Sequence, residues 1–310
     1  MEKVLARAAR PPPTQGALLA VDSSHLAMYL SPMATSQHAP GPTRFLSRPE
    51  GRIAYDVAGD DDGALVLLVP GMGDLRGTYR FLAPLLVAAG YRVASTDLRG
   101  HGDSDAGFAS YGDVDTAGDI IALIETLGGP AVVVGNSMGA GAAAYAAAER
   151  PDLVSGLVLV GPFVRDGEIG AATRIMMRVA MATPWAALAW KSYAPKFYAG
   201  RKPEDLDDYL REVVASIRRP GYTKAFSLTT RTSHAAVEAR LARLSVPALV
   251  VMGDQDPDFS DPAAEAAWIA TTLSGTVVMV PEAGHYPQSQ QPEIVSAAVI
   301  SFLAQAARRG

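Results

Sequence analysis

From Arg52 onward, the chain alternates between short apolar runs and longer segments in which apolar side chains recur at helical spacing. The short runs are rich in valine, isoleucine and leucine, and they predict strands at 52–57, 65–69, 92–95, 131–134, 157–160, 248–252 and 277–280. Helices are predicted at 79–89, 114–127, 140–149, 262–273 and 293–305. Strands that are apolar on both faces are typical of parallel strands covered by helices. The pattern therefore predicts an α/β fold with a mostly parallel central sheet flanked by helices.

One internal segment and the N-terminal region depart from this alternation. Residues 166–235 show helical patterns with little strand character, which predicts an inserted helical cap between core segments 49–165 and 236–310. The cap carries the bulky side chains Met176, Met177, Met181, Trp185, Trp190, Phe197, Tyr198 and Tyr209. They either roof an apolar pocket or pack the cap onto the core. Residues 1–48 are rich in small, polar and proline residues and predict a loosely ordered N-terminal extension.

The amino-acid composition argues against several classes of function. Hydrophobic residues make up 49% and charged residues 19% of the 310 residues, which is typical of a globular protein. A net charge of −5 without a concentrated basic run argues against nucleic acid as a partner. The chain has no cysteine, so disulfides and cysteine-based zinc sites are excluded. The five histidines lack metal-site spacing, and no apolar stretch is long enough for a membrane span, so neither a metal nor a span is predicted.

A candidate nucleophile lies between a predicted strand and a predicted helix. Gly135, Ser137 and Gly139 form the pattern GxSxG directly after the apolar run 131–134. A turn this tight gives the serine strained backbone angles and exposes its side chain, and the flanking glycines leave room for neighbouring chain. We therefore interpret Ser137 as a nucleophile.

Serine needs a base to accept its proton, and two later segments supply candidates. Asp256 follows strand 248–252 and His285 follows strand 277–280, so both lie at carboxyl ends of strands, where ligands bind in open α/β sheets. Asp254 and Asp258 compete with Asp256 for the role of acid, and Asp166 is a weaker candidate. The order serine, acid, histidine is that of α/β-hydrolases.

From Arg52 to the C-terminus the chain resembles the α/β-hydrolase fold family. Besides GxSxG, the string Asp97–Ser104 (DLRGHGDS) and the segment around Gly284, His285 and Pro287 resemble family segments. The resemblance implies that Ser137 is the nucleophile, His285 the general base and then acid, and Asp256 the carboxylate that orients the histidine. His101 lies in the glycine-rich turn of this string and is interpreted as structural.

The resemblance also implies an oxyanion hole made of two backbone N–H groups. Met138, which follows the serine, supplies one, and Met72 in the loop after strand 65–69 supplies the other. The family usually has a histidine before the glycine of this loop, whereas this chain has Pro70. No organic cofactor is predicted, because the glycine-rich segments match neither the nucleotide-loop nor the dinucleotide pattern.

These observations predict a serine hydrolase that cleaves a carboxylic ester, or a related thioester, lactone or amide, of a small to medium, largely apolar substrate. The serine at the centre of GxSxG argues against an epoxide hydrolase or a haloalkane dehalogenase, because those enzymes resemble this fold but use aspartate at that position. Two alternatives stay open: a ligand receptor on the same fold, and a carbon–carbon bond hydrolase, acyltransferase or perhydrolase with the same triad. The absence of cysteine and of a secretory signal favours a cytoplasmic location.

Overall fold

The computed structural model describes residues 41–167, 171–183 and 185–308 of the chain. Within these residues, eight strands form one sheet in the order β1-β2-β4-β3-β5-β6-β7-β8. The strands are β1 Arg44–Arg48, β2 Gly51–Ala58, β3 Leu65–Val69, β4 Arg92–Thr96, β5 Ala131–Asn136, β6 Val154–Val160, β7 Ala248–Gly253 and β8 Thr276–Val280. Strand β2 pairs antiparallel with β1 and β4, and the other pairs are parallel. The predicted α/β fold with a mostly parallel sheet is therefore confirmed.

Helices cover both faces of the sheet in the described part of the chain. They are α1 Leu82–Ala88, α2 Asp113–Leu127, α3 Met138–Glu149, α4 Ala171–Ala180, α5 Ala186–Tyr193, α6 Leu206–Ile217, α7 Tyr222–Thr229, α8 Ala235–Glu238, α9 Pro262–Leu273, α10 Pro287–Gln290 and α11 Pro292–Ala306, with 3₁₀ turns at Arg76–Tyr79, Ala194–Phe197 and Leu241–Arg243. In β3, Leu67 packs into one buried cluster and Leu68 into the other, because successive side chains point to opposite faces. Burying each such side chain contributes about 1.5–3 kcal/mol.

The first strand lies in a segment that the sequence pattern predicts to belong to the N-terminal extension. Residues 44–48 form β1, which pairs with β2 from Arg44 opposite Tyr55 to Arg48 opposite Gly51. Only Leu46 of β1 is buried, so the strand lacks the repeated apolar alternation by which an edge strand is found in a sequence. Residues 1–40 lie outside the described residues.

Helices α4 to α7 lie between β6 and β7 in the chain, within the predicted cap. Trp190, Phe197, Tyr209 and Phe226 pack together as the core of this region. The large side chains Met176, Met177 and Trp185 are instead exposed. The apolar side chains of this segment thus divide between packing and the surface. In the described residues, no helix is long and apolar enough to cross a membrane.

Candidate active site

The turn after β5 gives Ser137 an unusual backbone. Ser137 has φ 55° and ψ −123°, a conformation that costs a non-glycine residue free energy and occurs mainly where a site requires it. A Cβ atom at Gly135 would collide with the carbonyl of Gly139, and a Cβ atom at Gly139 would collide with the carbonyl of Pro70. The two glycines of GxSxG are therefore required by close packing of α3 against β5 and of the loop after β3 against α3.

Hydrogen bonds join the serine turn to the histidine loop. The Ser137 N–H donates to the Val160 carbonyl at 2.9 Å, which ties the turn to the end of β6. The side-chain amide of Asn136 donates to the His285 carbonyl and to the Val160 carbonyl, each at 3.1 Å. The His285 N–H in turn donates to the carbonyl of Phe197 from the cap region at 2.8 Å. Three segments far apart in the chain are thus held together at one edge of the sheet.

The imidazole of His285 is buried against two carboxylates and two aromatic rings. Its Nδ1 lies 2.8 Å from Asp256 Oδ2 and 3.5 Å from Asp258 Oδ2, and His285 is 2% exposed. The ring centroids of Phe163 and Phe197 lie 5.7 Å and 5.4 Å from that of the imidazole. Because Nδ1 is bonded to Asp256, Nε2 is the ring atom available for proton transfer to or from a ligand.

Charge around His285 decides its protonation. Burial opposes the charged imidazolium, but the carboxylates of Asp256 and Asp258 outweigh burial and raise the pKa of His285 to about 9. Asp74 adds to the same effect. Burial also raises the pKa of Asp258 above its usual value, since His285 offsets only part of the loss of solvation. Proton uptake by His285 is therefore favoured wherever the carboxylates remain charged.

The two predicted oxyanion donors belong to segments that adjoin Ser137. Met138 is the first residue of α3, and Met72 is in the loop that follows β3. This loop passes close to the serine, since a Cβ atom at Gly71 would come within 2.8 Å of the Ser137 Cβ. Among the described residues, the backbone N–H groups of Met72 and Met138 donate to no protein acceptor. Both N–H groups therefore keep their capacity to donate a hydrogen bond.

Comparison with known proteins finds a family match. The model of the alpha/beta hydrolase family matches residues 66–298. The chain is also 30% identical over 268 residues to 2-(acetamidomethylene)succinate hydrolase of Mesorhizobium japonicum, which covers 82% of this chain and 92% of that protein. The chain belongs to the alpha/beta hydrolase family. Hydrolase is the class of activity that this membership supports.

Proteins similar to this chain are named for different activities. The chain is 26% identical over 304 residues to epoxide hydrolase 3 of Siraitia grosvenorii, covering 81% of this chain and 95% of that protein. The crystal structure of a bromoperoxidase from Bacillus anthracis superposes with a TM-score of 0.74 at 20% identity, covering 85% of this chain and all of that one, and so supports the fold. The choice among reactions therefore depends on this chain's own site residues.

Two of the three competing carboxylates, those of Asp254 and Asp166, form no ion pair with the imidazole. Asp254 is exposed, and its Oδ1 accepts from the Ala283 N–H at 3.4 Å. Asp166 is also exposed and accepts from the Ser233 hydroxyl at 2.6 Å and the His234 N–H at 2.8 Å. Among the aspartates considered from the sequence, only Asp256 and Asp258 thus lie within 4 Å of His285 Nδ1.

Two histidines without a predicted site role have specific contacts. His101 is 3% exposed, and its Nε2 lies 3.0 Å from the backbone nitrogen of Gly73. His234 Nδ1 lies 2.7 Å from Asp113 Oδ2, and its ring stacks on Phe163 with centroids 5.7 Å apart. The sequence offers no signal for the second pair, because an aspartate in the first turn of a helix is ordinarily explained by the helix dipole.

In the described part of the chain, one group of side chains has metal-ligand geometry. It comprises Asp256, Asp258 and His285, whose ligand atoms lie within 4.8 Å of one another. The Asp256 carboxylate already pairs with the imidazole Nδ1, so an ion would have to displace that hydrogen bond. The arrangement matches an oriented base more closely than a metal centre.

A cavity of about 690 Å³ lies beside the sheet. Its lining includes Leu75, Tyr79, Val87 and Tyr209, so it lies between the 3₁₀ turn after β3, α1 and α6. The nucleophile candidate and the histidine are not part of this lining. A carbonyl bound there would lie away from the serine turn.

Proposed function

We propose that this member of the alpha/beta hydrolase family is a serine hydrolase that cleaves a carboxylic ester, or a related thioester, lactone or amide, through an acyl-enzyme. The observation that carries the proposal is the buried contact of 2.8 Å between His285 Nδ1 and Asp256 Oδ2, in a loop that Asn136 ties to the strained serine turn. A histidine oriented by a carboxylate, in a loop tied to the turn that carries the serine, is the arrangement that activates serine.

In the first half of the reaction, the Ser137 oxygen attacks the carbonyl carbon while His285 Nε2 takes the hydroxyl proton. The C=O π electrons move to the carbonyl oxygen, and the N–H groups of Met72 and Met138 donate hydrogen bonds to the resulting oxyanion. Fixed donors of this kind stabilise the transition state by about 3–4 kcal/mol each. The intermediate then collapses, the bond to the leaving group breaks, and the imidazolium gives its proton to the departing oxygen, sulfur or nitrogen.

In the second half, water attacks the acyl-serine ester as His285 Nε2 removes one of its protons. Collapse of the second intermediate releases the carboxylic acid, and the proton returns from His285 to the Ser137 oxygen. Asp256 keeps its negative charge throughout and stabilises the imidazolium that forms in both halves. No group outside the chain, the substrate and water is needed to balance the reaction.

The side chains around His285 favour an apolar substrate. Phe163 and Phe197 present rings within 6 Å of the imidazole, measured between centroids. Met72, whose N–H is one of the two proposed oxyanion donors, also carries a half-buried apolar side chain. Pockets of this kind bind ligands mainly through apolar contact, with a few polar groups that fix orientation. We propose a small to medium acyl or alcohol group without charge near the carbonyl.

The raised pKa of His285 predicts the pH dependence of ester hydrolysis. Only the neutral imidazole accepts the serine proton. We therefore expect kcat/KM to rise with pH along an acid limb, with an apparent pKa of about 9, and to level off at higher pH. Replacing Asp258 with asparagine removes one negative charge 3.5 Å from Nδ1 and should move this limb to lower pH, by about one pH unit. The measurement is kcat/KM from pH 6 to about 10.5 on an ester that is stable over that range.

The exposed residue Asp254 provides the control for this profile. Asp254→Asn removes the same charge from the same loop without altering a contact of the imidazole, so its limb should match that of the wild type. An acid limb that stays in place in Asp258→Asn, or one that moves equally in both variants, contradicts the proposed origin of the shift.

An activity-based probe tests the nucleophile. A fluorophosphonate should label the folded protein at Ser137, identified by peptide mass spectrometry, and Ser137→Ala should remove the label. A panel of esters graded in acyl length should then show turnover by the wild type alone. Absence of labelling together with ligand-induced thermal stabilisation that Ser137→Ala leaves unchanged would instead indicate a receptor. Product analysis separates hydrolysis from acyl transfer and from carbon–carbon bond cleavage.

A further inference from the structure

The loop after β3 is held at several points. We call residues 70–74 the oxyanion loop. The carbonyl of Gly71 accepts a hydrogen bond from the Asp74 N–H at 3.3 Å. The Gly73 N–H lies 3.0 Å from His101 Nε2, and the Gly73 carbonyl accepts from the Trp190 indole N–H at 2.8 Å. Each peptide group that flanks Met72 is therefore bonded through at least one of its polar atoms.

These contacts control where the Met72 N–H points. The Met72 N–H and the Gly71 carbonyl belong to one planar peptide group, so the direction of one sets the direction of the other. The next peptide group carries the Gly73 N–H, whose partner is His101. Gly73 has φ 72°, in the left-handed region that glycine adopts freely. The direction of its backbone therefore depends on the hydrogen bonds that restrain it. Removing the His101 contact frees the peptide group that follows Met72.

The protonation of His101 suits an acceptor of hydrogen bonds. Its Nδ1 lies 3.0 Å from the Arg99 carbonyl, which accepts only, so the ring hydrogen is assigned to Nδ1. Nε2 then has a lone pair for the Gly73 N–H. Burial disfavours the charged ring and lowers the pKa of His101 to about 4, although the Arg99 carbonyl opposes this. The ring is thus neutral over the pH range of ordinary assays.

We propose that His101 is a positioning residue of the oxyanion hole: by accepting from the Gly73 N–H, it holds the oxyanion loop so that the Met72 N–H faces the carbonyl oxygen of an ester at Ser137. The inference rests on the proposed function. Pro70 stands where the family usually has a histidine, so the resemblance offers no residue that supports the oxyanion loop. His101 in the DLRGHGDS turn supplies that support.

A positioning role predicts a specific kinetic signature. The oxyanion exists in the transition state and not in the bound ester, so a misplaced donor lowers kcat with little change in KM. His101→Leu removes the acceptor and leaves a buried N–H without its partner. We expect kcat for a short-chain ester to fall by about 10- to 100-fold, with KM within about twofold of the wild type.

Two further variants separate positioning from general destabilisation. His101→Gln keeps a side-chain oxygen that can accept from the Gly73 N–H, so it should recover most of the lost kcat. Ser104→Ala is the matched control in the same turn. The Ser104 hydroxyl is fully buried and bonds with the Ala54 N–H at 2.8 Å and the Asp97 carbonyl at 3.0 Å, outside the oxyanion loop. Ser104→Ala should lose stability without a selective loss of kcat.

The experiment compares these variants in kcat, in KM and in the inhibition constant of a trifluoromethyl ketone. The serine adds to this ketone and forms an oxyanion adduct, so its inhibition constant should rise in His101→Leu by the same factor as kcat falls. Unchanged kcat in His101→Leu, an equal loss in Ser104→Ala, or His101→Gln as inactive as His101→Leu would overturn the inference.

Amide hydrogen exchange keeps this inference distinguishable from the proposed function. The Gly73 amide should exchange faster in His101→Leu than in the wild type, and should be unchanged in Ser104→Ala. This readout does not depend on turnover. A wild type without labelling or ester hydrolysis contradicts the proposed function, whereas slow Gly73 exchange in His101→Leu contradicts the contact on which the His101 inference rests.

Discussion

Ser137→Ala is expected to lower kcat for ester hydrolysis by at least about 10⁴-fold, and His285→Ala by a similar factor. Without the hydroxyl no acyl-enzyme forms, and without the imidazole the hydroxyl has no base. The double variant should lose little more than either single variant, because the two groups act in one step. The measurement is the steady-state rate on one ester for all three variants, with trace wild-type contamination excluded by titration with the fluorophosphonate.

Folding must be shown to survive these substitutions. Ser137 is already in a strained conformation and alanine has the same Cβ, so the thermal midpoint of Ser137→Ala should lie close to that of the wild type. His285→Ala leaves the buried Asp256 and the half-buried Asp258 without their imidazole partner and should be less stable. Losses that add in the double variant, in proteins that remain folded, would show that serine and histidine do not act together.

Asp256→Asn is expected to lower kcat by about 10³- to 10⁴-fold. An asparagine amide in place of the carboxylate oxygen 2.8 Å from Nδ1 favours the wrong imidazole tautomer and removes the charge that stabilises the imidazolium. Asp258, 3.5 Å from Nδ1, keeps a carboxylate near the ring and should leave some activity. Adding Asp258→Asn should remove that remainder.

Asp254→Asn is the matched control, since the residue is exposed and bonds only weakly, at 3.4 Å, with the Ala283 N–H. Its kcat should stay within about twofold of the wild type, as for most exposed substitutions away from a site. The reverse ranking of Asp254→Asn and Asp256→Asn would show that the proposed orienting carboxylate is the wrong one.

The sequence predicts the sheet well because its strands are buried on both faces and therefore appear as continuous apolar runs. The serine turn is predictable for a local reason as well. GxSxG requires glycine where neighbouring backbone passes within contact distance, and the structure shows such contacts at Gly135 and Gly139. Strand β1 escaped prediction because it is an edge strand with one buried side chain, Leu46. The local hydrophobic pattern thus predicts a strand or turn when the buried positions of that element are occupied by apolar residues or glycine.

Contacts between distant segments produce no local pattern in the sequence. The pairing of His234 with Asp113 joins residues 121 positions apart, and neither neighbourhood carries a motif. The hydrogen bond between His101 and Gly73 likewise depends on how β3 and β4 lie side by side. In the sequence His101 is only a histidine in a glycine-rich turn, and its neutral state follows from burial that emerges on folding.

Direct observation of the acyl-enzyme is the sharpest test of the proposed chemistry. The protein is mixed with a slowly deacylating ester, quenched in acid within the first turnover and digested for peptide mass spectrometry. The peptide that contains Ser137 should carry the mass of the acyl group, and His285→Ala should form no adduct on the same timescale. Turnover of the ester without any acyl group on Ser137, or with the adduct on another residue, would contradict the proposed mechanism.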